Sequence, residues 1–425
     1  VDEVTKKVKG IDRVPFEQAK SDGLVQMIGA PVDKAYVQAV LGLSFSDAKG
    51  VKLLYSPLHG CGLSSVFEVL REAGFDVTLD PATKNPSGAF EHVTFNNPNP
   101  EVHASYDTML KEASDKQYDL LMNSDPDADR IGIMALHEGQ YRFLNGNEIG
   151  IVLSAYALKK RKSAGSLHKE CVIAKTMVTN SLIQKLCDAY GITCVGDLLV
   201  GFKYVGDVMN KLESEGRIDD FVMGTEESHG FLAGGYARDK DAALPALWLC
   251  ELASELKADG KTIVDYLQEL YAQHGYCYNY LTEIRLTGAA GVDKIQKIMK
   301  HLREEPPEAF GSFAVKSKRD YRDDKPYVSQ TDESSKNVLS FILDADGLEQ
   351  VKVTVRPSGT EPKIKFYVEL LGKPFAAEDL GKVKDALIDI CGAVEKALLG
   401  VAYRSIDVQF PDRGYLLFWQ LPLDA

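Results

Sequence analysis

Asp125-Pro126-Asp127-Ala128-Asp129-Arg130 sets three carboxylates at alternate positions and closes them with a guanidinium. Hard oxygen donors suit Mg²⁺, which commonly takes one or two carboxylates and leaves its other positions to water and phosphate oxygens. Arg130 offers a planar fork for the same phosphate. The chemistry indicated is phosphoryl handling, with Asp125, Asp127 and Asp129 as metal ligands. Two other readings stand beside it. A solvated acidic turn carries the same residue types. A calcium EF-hand fits less well, because its sixth loop position calls for Gly and is Arg130, and its twelfth calls for Glu and is Leu136.

Further segments carry polar groups at fixed spacing. Gly224-Thr225-Glu226-Glu227-Ser228-His229-Gly230 presents carboxylates and a hydroxyl between glycines, a pattern able to grip sugar hydroxyls, or to cap a helix with Ser228 and the glutamates in its first turn. Arg356-Pro357-Ser358-Gly359-Thr360-Glu361-Pro362 combines a guanidinium, two hydroxyls and a glycine, which is an anion cup or a capped turn with a surface arginine. Lys175, Lys203, Arg238 and Lys240 lie near predicted element ends, where they can line a phosphate pocket; each taken singly is equally a solvated charge. In Ser56-Pro57-Leu58-His59-Gly60-Cys61-Gly62 the glycines permit close approach to an anion, and a plain strand-to-helix turn is the preferred reading.

The acidic segment lies between two short apolar runs, Tyr118 to Asn123 and Ile131 to Leu136, that read as strands, so it is a loop at a strand's carboxyl end, where open α/β sheets place ligands. Strand and helix signals alternate from about residue 30 to 140 and again from Asn145 to about Ala272, predicting two parallel sheets covered by helices. From Tyr278 the runs become longer and β-like, with a final helix over about Ala376 to Leu399; the charged stretch Lys316 to Lys336 reads as an exposed excursion. The expected organisation is two tandem α/β domains, residues 30–140 and 141–275, followed by an α+β domain over 276–425. Residues 1–29 read as the remnant of a preceding domain and a linker.

A chain of 425 residues with 45% hydrophobic content can fill several cores. Its net charge of -13, with both signs interspersed, argues against nucleic-acid and anionic-membrane partners. No apolar run approaches a membrane span, and Ala243 to Leu252 is broken by Glu251, so it reads as a core helix. Seven cysteines without a Cys-x-x-Cys pair fit a reducing compartment, and a cytoplasmic location is expected. The opening Val1 with no signal-peptide pattern suggests a chain cut from something longer.

Taken in order, the acidic loop, the Gly-Thr-Glu-Glu-Ser loop with Tyr236-Ala237-Arg238-Asp239-Lys240-Asp241 after it, and the Arg-Pro-Ser-Gly-Thr-Glu-Pro loop resemble the α-D-phosphohexomutase superfamily, most closely its phosphoglucomutase branch. Asn97-Pro98-Asn99-Pro100-Glu101 and Gly201-Phe202-Lys203 match the same pattern. The resemblance covers nearly the whole chain and corresponds to that family's second, third and fourth domains. It implies Mg²⁺ on Asp125, Asp127 and Asp129, with Arg130 on the reacting phosphoryl group. It further implies sugar hydroxyls on Glu226 and Ser228, and the non-reacting phosphate on Arg356, Ser358, Gly359 and Thr360, with Lys203 and Lys240 lining the pocket. Lys175 is the candidate for proton transfer.

The implied reaction converts glucose 1-phosphate and glucose 6-phosphate through glucose 1,6-bisphosphate, by a monomer or weak dimer whose partner is a small phosphosugar. Phosphomannomutase, phosphopentomutase and phosphoglucosamine mutase are the alternatives within the family, and a non-catalytic sugar-phosphate binding protein is the alternative outside it. A metal-dependent phosphatase fits less well, because no Asp-x-Asp-x-Thr nucleophile is present. The family's first domain carries a phosphoserine in a Thr-Ala-Ser-His-Asn-Pro type loop, and no such loop occurs here; Thr83-Lys84-Asn85-Pro86-Ser87 is a faint echo in the wrong order. The upstream portion is therefore expected to be removed or never present, and the chain alone to be inactive. Val200 stands where relatives commonly have threonine, which removes one hydroxyl contact.

Overall fold

The computed structural model describes residues 13–286, 288–323, 333–358 and 362–408. The first sheet contains β1 (Lys52–Ser56), β2 (Asp76–Leu79), β3 (Leu120–Ser124), β4 (Ile131–His137) and β5 (Gln140–Leu144), in the order β2-β1-β3-β4-β5. β2, β1 and β3 run parallel, as the alternation predicts, but β4 and β5 are antiparallel. Chain length decides this: only residues 125–130 join β3 to β4, and a parallel crossover needs a dozen or more.

The second sheet repeats the plan. β6 (Val172–Thr176), β7 (Thr193–Leu198) and β8 (Phe221–Thr225) are parallel, and the short β9 (Phe231–Leu232) turns back antiparallel through residues 226–230. The third sheet is antiparallel, in the order β10-β15-β14-β13-β12-β11, from β10 (Cys277–Arg285), β11 (Ala309–Phe310), β12 (Phe313–Asp320), β13 (Leu339–Leu343), β14 (Leu348–Pro357) and β15 (Lys363–Gly372). Helices Gly288–Glu304 and Leu380–Arg404 pack against β15, giving the expected α+β unit. β12 occupies the start of the stretch read as an excursion; it pairs along β13, and its charged side chains lie on an exposed near-edge strand where charge does not oppose pairing. Residues 324–332 and 409–425 lie outside the described residues.

Helix Gly146–Ser163 starts on a capping box in which Asn145 and Glu148 each accept the other's backbone N–H at 3.0 Å. Thr262 and Asp265 do the same for helix Ile263–His274. Helix Ala243–Ala258 is buried from Ala243 to Ser254, so its all-round apolar sequence forms the seam between the first two sheets. Glu251 inside it is tied to Ser44, to Phe45 N–H at 3.0 Å and to Tyr156. Among the described residues no helix is long and apolar enough to cross a membrane.

The Ser56–Gly62 turn is a buttress for the acidic loop. Cys61 N–H donates to Pro126 O at 2.8 Å, and a Cβ at Gly60 would lie 2.2 Å from Pro126 Cα. Such contact with backbone cannot relax by a rotamer change. Gly60→Ala is therefore expected to lower stability by about 1–3 kcal/mol in urea unfolding, and an unchanged midpoint would show that the loop does not depend on this contact.

Candidate cation and phosphate site

The acidic loop is fixed mainly through Asp125. This carboxylate is buried, and it accepts Asp129 N–H at 3.1 Å, Arg130 N–H at 3.0 Å and Arg130 Nε at 2.5 Å. Ala128 takes a left-handed conformation (φ 57°), a conformation that costs of order 1 kcal/mol for a residue with a Cβ and is held here by Asp125 O and Ala242 N–H. Burial pushes the Asp125 carboxyl up to about 6, against the pull of Arg130 and the backbone donors. Asp129 pairs with Lys240 Nζ at 2.9 Å, and Asp127 is exposed and has no hydrogen bond among the described residues. The three carboxylates lie within 4.8 Å of one another. Three converging hard oxygens, one of them unengaged, are a donor set that fits a divalent cation such as Mg²⁺.

Arg130 reaches outward from this loop. Its Nη1 pairs with Glu101 at 3.0 Å and lies 3.3 Å from Asn99, so the Asn97–Glu101 segment holds the guanidinium from its far side. Arg130 also forms a backbone bridge with Gly230, and Ile131 N–H donates to His229 O at 3.2 Å. The acidic loop of the first sheet and the Glu226–Gly230 loop of the second are thus stitched together. His229 is buried with Nδ1 3.0 Å from Ile131 O, and burial pulls its pKa down to about 3, so it is neutral and structural. A Cβ on Gly230 would collide with Lys240 Cδ at 2.2 Å; glycine is what lets the lysine stem cross the loop to Asp129.

Glu226 is buried and accepts Gly201 N–H at 3.0 Å, while Glu227 accepts Thr176 at 3.2 Å. Burial, together with neighbouring Glu227, raises Glu226 to about 7, despite Lys240. Ser228 is half-buried beside it. Lys203 is exposed at the start of helix Lys203–Ser214 and packs over the Tyr204 ring.

A cleft between all three sheets faces these loops. It is lined by Glu101, Asn147, Glu227, Lys352, Thr354 and Tyr367 among others. The last sheet contributes a polar row to it: Lys352 pairs across the ladder with Glu369 and Thr354 with Tyr367, while Val351, Val353 and Val355 are buried. Arg356, one step further along β14, lies against Tyr367, which also faces Glu227 and Glu101. Ser358 N–H is spent on Lys363 O at 2.8 Å, closing the hairpin; Gly359 and Thr360 lie outside the described residues.

Two residues singled out from the sequence have other company. Lys175 is buried, and its Nζ donates to Thr179 O at 2.9 Å and lies 3.4 Å from Gly196 O; burial and Lys352 lower its pKa, and the acidic loop is not among its neighbours. Arg238 is occupied by Asn210 (3.0 Å), Glu213 (2.7 Å) and the Gly235 and Ala237 carbonyls, holding its loop to helix Lys203–Ser214. Conversely, Lys352, Tyr367 and Glu369 were not singled out. Their signal was the two-residue alternation of β14 and β15, where a polar face opposes an apolar one.

Fold and site together define a three-sheet α/β protein with an acidic loop at a strand end. Residues 34–138 match "Phosphoglucomutase/phosphomannomutase, alpha/beta/alpha domain II" and residues 145–274 match domain III of the same family. The phosphoglucomutase of Staphylococcus aureus strain N315 is 31% identical over 361 residues, 83% of this chain. The chain spans 62% of that relative's length. The open form of pp63/parafusin, a phosphoglucomutase from Paramecium, shares the fold with a TM-score of 0.58 at 16% identity, over 86% of this chain and 62% of that one. A phosphoglucomutase/phosphomannomutase family protein from Burkholderia thailandensis does so with a TM-score of 0.53 at 15% identity, over 86% and 64%. The chain belongs to the phosphohexomutase superfamily.

Glu226 supplies a test of this site. A carboxyl raised from 4.5 to about 7 on folding binds its proton more tightly folded than unfolded, so its contribution is fully present below 4.5 and is lost as pH rises through about 7. Glu226→Gln should remove that loss. Its stability relative to the parent should rise between pH about 5 and about 8, by up to about 3 kcal/mol, measured by denaturant unfolding across that range. Parallel curves for parent and variant would place the Glu226 titration elsewhere.

Proposed function

We propose that this chain is the metal-binding and sugar-phosphate-binding part of a phosphosugar mutase that interconverts glucose 1-phosphate and glucose 6-phosphate through glucose 1,6-bisphosphate. The observation that carries the reading is the physical joining of the acidic loop to the Glu226–Gly230 loop, through Lys240 on Asp129 and the Arg130–Gly230 bridge, with the polar row of β14 and β15 across the cleft. A relative 31% identical that is called a phosphoglucomutase supports glucose as the sugar. The working divisions are residues 30–140 for the metal loop, 141–275 for the sugar loop and 276–425 for the distal phosphate, in a cytoplasmic, small-molecule setting.

In this reading Asp125, Asp127 and Asp129 hold Mg²⁺, which when bound neutralises charge on the transferring phosphoryl group. Arg130, clamped by Asp125 and Glu101, presents its remaining N–H groups to the same oxygens. Glu226, Ser228 and Lys203 orient the sugar, and Arg356 with Ser358, Gly359 and Thr360 holds the phosphate that does not react. Lys240 keeps Asp129 in place as well as lining the pocket. Arg238 and Lys175 act by positioning: Arg238 holds the loop that carries Lys240, and Lys175, clasped by two carbonyls, holds the carboxyl end of β6. The donor in this scheme is a phosphoserine on a Thr-Ala-Ser-His-Asn-Pro type loop, a sequence that does not occur in these 425 residues, and the scheme requires that such a loop be brought to the cleft. The bisphosphate then turns end for end, which requires the Arg356 side to accept either phosphate.

The test is a coupled assay of glucose 6-phosphate formation from glucose 1-phosphate, with glucose 1,6-bisphosphate and Mg²⁺, for this chain and for a version joined to a serine-loop domain. Turnover in the joined version alone, falling about 10²–10³-fold in kcat on Arg130→Ala, is expected. Turnover by the chain alone would reveal a nucleophile within it, and release of inorganic phosphate would make it a phosphatase.

A further inference from the structure

At the opposite, amino end of the second sheet, His168, Cys171 and Asp220 converge just before β6 and β8 begin. Their donor atoms lie within 4.8 Å of one another. β6 and β8 pair in register at Val172 and Phe221, so the two residues preceding them are neighbours by sheet geometry. A five-residue strand separates this cluster from Lys175, Thr176 and Glu226 at the carboxyl end, about 15 Å away. It is therefore independent of the acidic loop.

The local bonding prepares each group to coordinate. Cys171 is fully buried, and its sulfur receives His168 N–H at 3.5 Å and lies 3.7 Å from Ser166 O, so both neighbours fix where the sulfur sits. Asp220 Oδ1 faces His168 Nε2 at 3.2 Å, while its other oxygen takes Arg217 Nε at 2.8 Å, which fixes the carboxylate plane. His168 Nδ1 meets Glu170 at 3.0 Å, the carboxylate–histidine pairing that fixes the tautomer of a metal-bound imidazole. Arg161 joins the same two segments through Ser166 O and Asp219 O, so the backbone on both sides is already held. His168 is half-exposed, and an inward shift of its ring by about an ångström gives the contraction a tetrahedral ion requires.

We propose that His168, Cys171 and Asp220 form a transition-metal site, with a nitrogen, a sulfur and an oxygen donor suited to Zn²⁺ and a fourth position left to water. Binding releases the Cys171 proton to solvent and ties the start of β6 to the start of β8. The soft donor distinguishes it from the all-oxygen loop that suits Mg²⁺.

Co²⁺ titration of the 425-residue chain tests this, read by the thiolate-to-cobalt charge-transfer band in the near ultraviolet. The Cys61→Ser background removes the exposed thiol that adjoins the acidic loop. The band should saturate near one equivalent, disappear on addition of Zn²⁺, weaken in affinity by at least about tenfold in His168→Ala and in Asp220→Asn, and vanish in Cys171→Ser. Because Cys171 is buried, the two exposed-side variants decide the matter if Cys171→Ser fails to fold. No band, or a band of unchanged affinity in either variant, would overturn the assignment.

Discussion

Three carboxylates in five residues repel one another, and the fold around them is organised by what offsets that repulsion. Asp125 is removed from water and answered by Arg130 and two backbone N–H groups. Removing one partner of such a buried pair typically costs about 3–5 kcal/mol. The opposing face is answered by Lys240 on Asp129. One cation belongs to the loop and the other comes from outside it: Arg130 closes the loop and is braced by Glu101 from the long loop before the helix Asp107–Glu112, whereas Lys240 comes from the second α/β unit. The acidic loop thus draws one of its two countercharges across the boundary between the first two sheets, and a bound cation would reinforce that contact.

The other interdomain contacts share that logic of buried charge satisfied from both sides. Asp241 takes Tyr36 at 2.7 Å, Tyr236 and Ala243 N–H, pinning helix Gly29–Leu41 to the loop that carries Lys240. Glu369 on β15 takes Lys352 at 2.9 Å, Ser181 N–H at 2.9 Å and Asn279 at 2.9 Å. Burial pushes that carboxyl up, but Lys352, Lys175, Ser181 and Asn279 outweigh it and hold it at about 2, so the link between the second and third sheets stays ionised. These polar clamps leave the cleft between sheets lined by groups that can face a ligand.

Which parts of this were legible in the sequence follows from distance along the chain. The acidic loop is one contiguous hexapeptide between two apolar runs, so its residues and its place at a strand end could both be read. The two tandem units and the β-rich end followed from periodicity. The reversal of β4 is implied by its short connection, and helix Gly288–Glu304 is framed by Gly288 and by Pro306-Pro307, but neither emerges from the periodicity of the surrounding β-like runs. Residues that matter through space were the hardest. Glu101 lies in a segment recognisable only by resemblance, and Lys352, Tyr367 and Glu369 sit within strands whose apolar faces dominate the pattern. Lys175 and Arg238 had the right residue types at element ends, and only packing distinguishes carbonyl-held or helix-held cations from ligand-facing ones.

The central claim is that Asp125, Asp127 and Asp129 act as one divalent cation site. Electron paramagnetic resonance of Mn²⁺ added to this chain measures it directly, since bound Mn²⁺ loses its sharp aqueous signal. Asp127 is the residue to change, because it is exposed and unengaged and its replacement by Asn leaves the Asp125–Arg130 clamp intact. The account predicts a single site in the parent that Mg²⁺ displaces and that Asp127→Asn abolishes or weakens at least tenfold. Mn²⁺ binding of equal affinity in parent and variant would contradict it.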